Sequence, residues 1–265
     1  MSNPVFNRDP MFNGRGAGAA HATVDAATLD QMYAQPAATP RDTGRMTYDD
    51  VIVRTAGLLA IVVLAGAATW MLAPPEAMLP IAMVGLIGGF VLGLVNAFKR
   101  TPSPALIMLY ALFEGAFLGG ISKVIEVGMD LPGIAVQAVL ATAATFAACL
   151  FLFRSGRVRV TPKFTRWLMI ALVGYLLFSV SNLVLAFFIP SGAFGPLRNG
   201  ALGIVVGLIA VGIASASLIV DFDAIKRGVE GGAPRNIAWR AAFGLVVTLV
   251  WLYFEFLRLI AIFRN

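Results

Sequence analysis

The chain has 265 residues, 59% of them hydrophobic and 13% charged, with a formal net charge of +6. Soluble domains carry about 25% charged residues, so composition excludes an ordinary water-soluble globule. One cysteine (Cys149) and one histidine (His21) exclude an internal disulfide framework, a Cys-based zinc site, a His-rich metal centre and the His-dependent nucleophile systems. The basic residues are scattered between apolar segments rather than gathered in a patch, which argues against nucleic acid as a partner.

Residues 1–45 mix Asn, Pro, Gly, Ala, Arg and Asp without apolar periodicity and read as a disordered tail. The first long apolar run begins only near Thr55, too far along the chain for a cleaved signal peptide. The remaining residues, 46–265, read as one membrane domain.

A bilayer core about 30 Å thick needs roughly 20 apolar residues per helix. Seven such runs follow in order: 55–73, 77–98, 104–121, 134–153, 167–189, 201–220 and 241–263. Each is continuously apolar, without the in-out alternation of barrel strands, so the fold class is an all-α bundle of seven transmembrane helices. Gly85, Gly88, Gly89 and Gly93 in the second run, and Gly203, Gly207 and Gly212 with Ser215 and Ser217 in the sixth, predict close helix packing; a hinge is the alternative.

Charge sets the orientation. The segment through Arg54 and the second-to-third, fourth-to-fifth and sixth-to-seventh connections together carry 16 Lys and Arg, against 3 (Lys123, Arg198, Arg264) on the other side. The positive-inside rule then predicts a cytoplasmic N-terminus and a C-terminus outside.

Ionisable groups inside apolar runs are costly to insert and read as functional by default. Glu114, Asp221, Asp223 and Glu255 stand in or at the edge of such runs, whereas Glu76, Glu126, Asp130 and Glu230 fall in connections. Glu114 is eleven residues beyond Ser103, or about 16 Å into the membrane. It reads either as a polar group on an ion or proton path or as a neutral carboxyl bonded to a neighbouring helix. Glu255 has Arg258 at i+3 on the same helix face. The two form either a neutralised pair with Arg258 snorkelling to the outer surface or a latch that holds the carboxylate. Asp223 has Lys226 at i+3 and Arg227 at i+4 as ion-pair partners. Asp221 has a basic residue at neither spacing, which makes it the better candidate for the bundle interior.

Several strings, in this order along seven hydrophobic segments, resemble the Bax inhibitor-1 family, also called the transmembrane Bax-inhibitor-motif family, in its bacterial branch. They are Met46-Thr47-Tyr48-Asp49-Asp50-Val51, Ala111-Leu112-Phe113-Glu114-Gly115, Asp221 with Ile225, and Leu252-Tyr253-Phe254-Glu255-Phe256. The resemblance spans roughly residues 46–263. It implies a multi-pass protein of the bacterial inner membrane and a pH-sensitive calcium leak, in which carboxylates on the sixth and seventh helices share a proton and gate the pore. Asp221 and Glu255 would be that gate and a weak, transient calcium site, and Glu114 a third carboxylate. The 34-residue separation of Asp221 and Glu255 exceeds the family spacing. Depth along the helices offers Glu114 with Asp221 as another couple.

No enzyme and no cofactor are expected, with calcium the permeant ion and the bilayer, calcium and protons the partners. Two other classes compete: a proton-coupled transporter using the same carboxylates as a relay, and a non-conducting stress regulator that binds a membrane protease or similar partner.

Overall fold

Seven helices follow one another in a computed structural model that describes residues 43–190 and 194–264. The tail expected at 1–45 lies, up to residue 42, outside the described residues, as does His21. The helices are α1 (Tyr48–Leu72), α2 (Pro75–Phe98), α3 (Pro104–Gly128), α4 (Ile134–Arg154), α5 (Pro162–Ala186), α6 (Gly200–Glu230) and α7 (Ile237–Arg264). All seven are long and apolar enough to cross a membrane. Among the described residues the only β pairing is an isolated bridge between Arg45 and Pro234.

Local chemistry sets the helix starts. Thr47 opens α1 with a capping box, its hydroxyl accepting from the Asp50 amide while the Asp50 carboxylate accepts from the Thr47 amide. Proline occupies the first turn of α2, α3 and α5, where its missing N–H costs no helical bond. Thr161 caps α5 through the Phe164 amide at 3.2 Å.

Several helices outrun the apolar segments that predict them. Hydropathy marks the part of a helix that meets hydrocarbon, whereas backbone hydrogen bonding continues into the interface. Thus α6 passes Val220 to reach Glu230, its 31 residues spanning about 46 Å. Lys123 and Glu126, expected in a connection, belong to α3. Lys123 reaches the Trp70 carbonyl at 2.6 Å and lies 5.8 Å from the Trp70 ring centroid, an interfacial anchorage.

The residues Gly44–Asn265 pack as one unit with α7 at its centre. Buried residues recur on α7 from Ala238 to Ala261, and the helix packs against α1, α3, α4 and α6. Lipid is as apolar as leucine, so helices in a bilayer associate through close packing and polar contacts rather than through hydrophobic exclusion. Small residues supply that packing around α3. A Cβ on Gly115 would come 2.5 Å from the Val62 carbonyl oxygen of α1, and one on Gly85 would come 2.6 Å from the Phe117 amide nitrogen of α3. Gly203 and Gly207 are packed in the same way on α6, but Gly212 faces open space and takes no part in the predicted stripe.

Candidate functional site

The intramembrane carboxylates occupy three separate environments. Asp221 faces α7, where the Thr248 hydroxyl oxygen is 2.9 Å from its Oδ2. The same hydroxyl is 3.1 Å from the Gly244 carbonyl oxygen. A hydroxyl has one proton, so Thr248 can donate to the carboxylate or to the carbonyl, and in the second case it can accept a proton from a neutral Asp221. Both protonation states of Asp221 therefore find hydrogen-bond partners without moving a helix. The surrounding apolar cluster includes Leu218, Phe222, Ile225, Leu245 and Leu249, and Met46 in that cluster packs near Gly228 towards the end of α6.

Glu114 lies on α3 and is 9% exposed. Its carboxyl fills the space that Gly89 leaves on α2, with Oε1 only 2.7 Å from where a Gly89 Cβ would stand. Tyr110, one turn earlier on α3, stands beside it. No basic group pairs with Glu114 or Asp221 among the described ion pairs.

Glu255 has the opposite surroundings. Its Oε2 accepts from Arg258 Nε at 3.2 Å and from Arg258 Nη2. Its Oε1 accepts from the Tyr175 hydroxyl and from Trp251 Nε1, the latter at 3.3 Å. Arg198 Nη1 stands 4.0 Å from the same oxygen, while Arg198 Nη2 donates to Tyr175 Oη at 2.9 Å and to Ser179 Oγ at 2.5 Å. Glu255 and Arg258 are each 1% exposed and the Arg198 side chain 11%.

The chain that carries Arg198 is fastened to α5. Asn182 donates to the Phe194 carbonyl at 2.9 Å and accepts from the Leu197 amide at 2.9 Å. Gly195 adopts φ +87° directly against that Asn182 amide, a conformation and a proximity that a side chain would not tolerate.

Some expected pairings are present and others are not. Asp223 pairs with Arg227 at 3.1 Å, while Lys226 pairs instead with Glu230 at 3.8 Å. The Glu255–Arg258 pair forms, but Arg258 does not snorkel to the surface, because Glu255 holds it inside the bundle. Asp221 and Glu255 share no hydrogen bond. The Thr248 that meets Asp221 precedes Glu255 by seven residues, about 10 Å along α7. Among the described residues no group of three or more His, Cys, Asp or Glu side chains is placed to hold a metal ion.

Nor does Glu114 meet Asp221. Tyr110, beside Glu114 on α3, packs edge-on against Phe243 at 5.0 Å between ring centroids, whereas Asp221 meets Gly244 and Thr248. Glu114 thus faces α2 at Gly89, whereas Asp221 faces α7. Glu114 stands ten residues from the start of α3 and Asp221 nine from the end of α6, about 14 to 15 Å from those helix ends.

Sequence reading misses Arg198, Tyr175, Ser179, Trp251 and Thr248 as site residues. A signal exists for part of this set, since Tyr175, Ser179 and Asn182 recur at i, i+4 and i+7, a polar stripe on an otherwise apolar helix. Asp50 is a further omission. It accepts from Arg235 Nε at 2.9 Å and lies 3.0 Å from Arg54 Nη1, tying the start of α1 to the α6–α7 connection. The Met46 amide reinforces this clasp through the Ala233 carbonyl at 2.7 Å.

The family model described as Bax inhibitor 1 like matches residues 3–265 of the chain. No curated protein gives a significant match.

Proposed function

We propose a function on the premise that the family match supplies: the chain belongs to the Bax inhibitor 1 like family. The proposed activity is a pH-sensitive cation leak across a membrane, with calcium the candidate permeant ion and Asp221 the proton-sensitive group. The observation that carries this reading is the position of the Thr248 hydroxyl between Asp221 Oδ2 and the Gly244 carbonyl. With Asp221 protonated, its proton bonds Thr248 Oγ1, which donates its own hydrogen bond to the Gly244 carbonyl and leaves that carbonyl and the carboxyl both engaged. Loss of that proton turns Thr248 towards the carboxylate and frees a carbonyl lone pair beside a negative charge. A carboxylate, a hydroxyl, a carbonyl and water offer calcium fewer protein oxygens than the six to eight ligands it prefers, and weak binding suits passage.

Glu114 is proposed as a second polar station at similar depth, behind Gly89. Glu255 is proposed as a latch, its carboxylate engaged by Arg258 and approached by Arg198, rather than as the proton-sharing partner of Asp221. The positive-inside distribution supports a cytoplasmic N-terminus, and the bacterial inner membrane is the proposed location. The reading involves no catalysis and no cofactor.

A second reading, a non-conducting regulator of a membrane partner, draws on an apolar groove between α2 and α3, lined by Pro80, Ile81, Val84, Leu112 and Phe113 among others. Purified protein in liposomes loaded with a calcium dye separates the readings. A leak dissipates an imposed calcium gradient and stops at equilibrium. A proton-coupled transporter accumulates calcium beyond equilibrium when a pH gradient is applied, and a regulator gives no flux in either case.

A further inference from the structure

The Glu255 cluster contains more positive charge than its acid neutralises. Two guanidinium groups, Arg198 and Arg258, face one carboxylate, leaving one formal positive charge. The other groups around them are neutral: Tyr175 and Ser179 on α5, Trp251 on α7, and the glycine face of α6 at Gly203 and Gly207. Two buried donors, Arg198 Nε and Arg258 Nη1, have no hydrogen-bond partner among the described residues. Buried polar groups are almost always satisfied, and a buried charge without a counter-charge is more costly still. Glu255 cannot meet the deficit, since Tyr175, Trp251 and Arg258 already engage both of its oxygens.

We infer that this cluster is a binding site for a small monovalent anion of halide size, held by Arg198 Nε and Arg258 Nη1. The charge of the ligand follows from the single excess positive charge. Its size follows from burial, since Arg258 is 1% exposed and Arg198 11%, which excludes a lipid headgroup with its chains. The positive end of the α6 dipole adds to the attraction: α6 begins at Gly200, two residues after Arg198, and Asn199 provides no side-chain cap. Gly207 lets Arg258 approach α6, where a Cβ would come 3.3 Å from Arg258 Nη2.

The test uses the full chain in nanodiscs of phosphatidylcholine, a zwitterionic lipid, so that the added salt is the only source of a free monoanion. Chloride replaces gluconate at constant ionic strength while thermal unfolding and tryptophan fluorescence are followed. The expected result is a saturable rise in unfolding midpoint with a parallel fluorescence change. Trp251→Phe removes the fluorescence change and keeps the thermal one. Arg198→Gln abolishes both, and Arg198→Lys, which retains the charge, recovers part of the thermal response. Identical midpoints in chloride and gluconate for the wild type overturn the inference. Should Arg198→Gln fail to fold, bromide-soaked crystals of the wild type decide. An anomalous peak within hydrogen-bond distance of Arg198 Nε and Arg258 Nη1 supports the site, and no peak there overturns it.

Discussion

The Thr248 hydroxyl oxygen lies 2.9 Å from Asp221 Oδ2 and 3.1 Å from the Gly244 carbonyl oxygen, so one proton on α7 chooses between an acid on α6 and its own helix. Removing the hydroxyl removes the choice. Thr248→Val leaves Asp221 without its donor and is expected to destabilise the protein by about 1 to 3 kcal/mol and to flatten the pH response of calcium flux. Thr248→Ser keeps the hydroxyl and is expected to keep both. Unfolding in mild detergent and flux in proteoliposomes read the two effects.

Arg258 and Glu255 form a fully buried ion pair. Removing the acid strands Arg258, and Arg198 beside it, in a low-dielectric interior, at a cost of about 3 to 5 kcal/mol. Glu255→Ala is expected to lose that much. The double change Glu255→Met with Arg258→Met is expected to recover part of it, because one of the two stranded guanidiniums is then gone. Denaturant unfolding of the two variants checks the order, and a double variant less stable than the single would contradict the account.

Glycine positions on α2 and α6 differ in consequence. At Gly89 an added methyl meets the Glu114 carboxyl, whereas at Gly212 it meets nothing within 4 Å. Gly89→Ala is expected to cost about 1 to 3 kcal/mol through overpacking and to disturb any flux that depends on Glu114. Gly212→Ala is expected to be neutral or to stabilise by up to about 1 kcal/mol through helix propensity. Thermal unfolding of both variants measures the difference.

The clasp at the start of α1 makes a prediction on the opposite scale. Asp50 is 9% exposed and Arg235 52%, and solvent screens a pair with so exposed a partner, so its coupling should be about 0.2 to 1 kcal/mol in a double-mutant cycle. Asp50→Ala should cost more than Arg235→Ala, because it also removes the capping box at Thr47. The start of α1 should then become more sensitive to protease.

The seven spans were legible because each must present about 20 apolar residues to lipid, and composition records that directly. The helix ends were not, since α3 carries Lys123 and α6 carries Asp223 to Glu230, charged residues that interfacial helices tolerate but hydropathy counts as loop. Asp221, Glu255 and Glu114 stood out as acids in apolar runs, and the Glu255–Arg258 pair followed from helical spacing. Their separation did not, because helix rotation and axial register decide which side chains meet, and a run of leucine and alanine encodes neither. Arg198 was hidden for another reason. It lies eight residues beyond Pro190, in a connection, and only tertiary structure turns that connection back over Tyr175 and Ser179. Thr248 looked like one more small residue until Asp221 was placed opposite it.

Calcium influx into proteoliposomes, compared at mildly acidic and mildly alkaline pH for the wild type and Asp221→Asn, tests the central claim most directly. Asparagine can donate to Thr248 as a protonated aspartic acid does, but it cannot lose that proton to become a carboxylate. The account predicts a wild-type leak that rises with pH and an Asp221→Asn leak that stays at the low, acidic level throughout. An Asp221→Asn protein that folds and retains the wild-type pH response would contradict it.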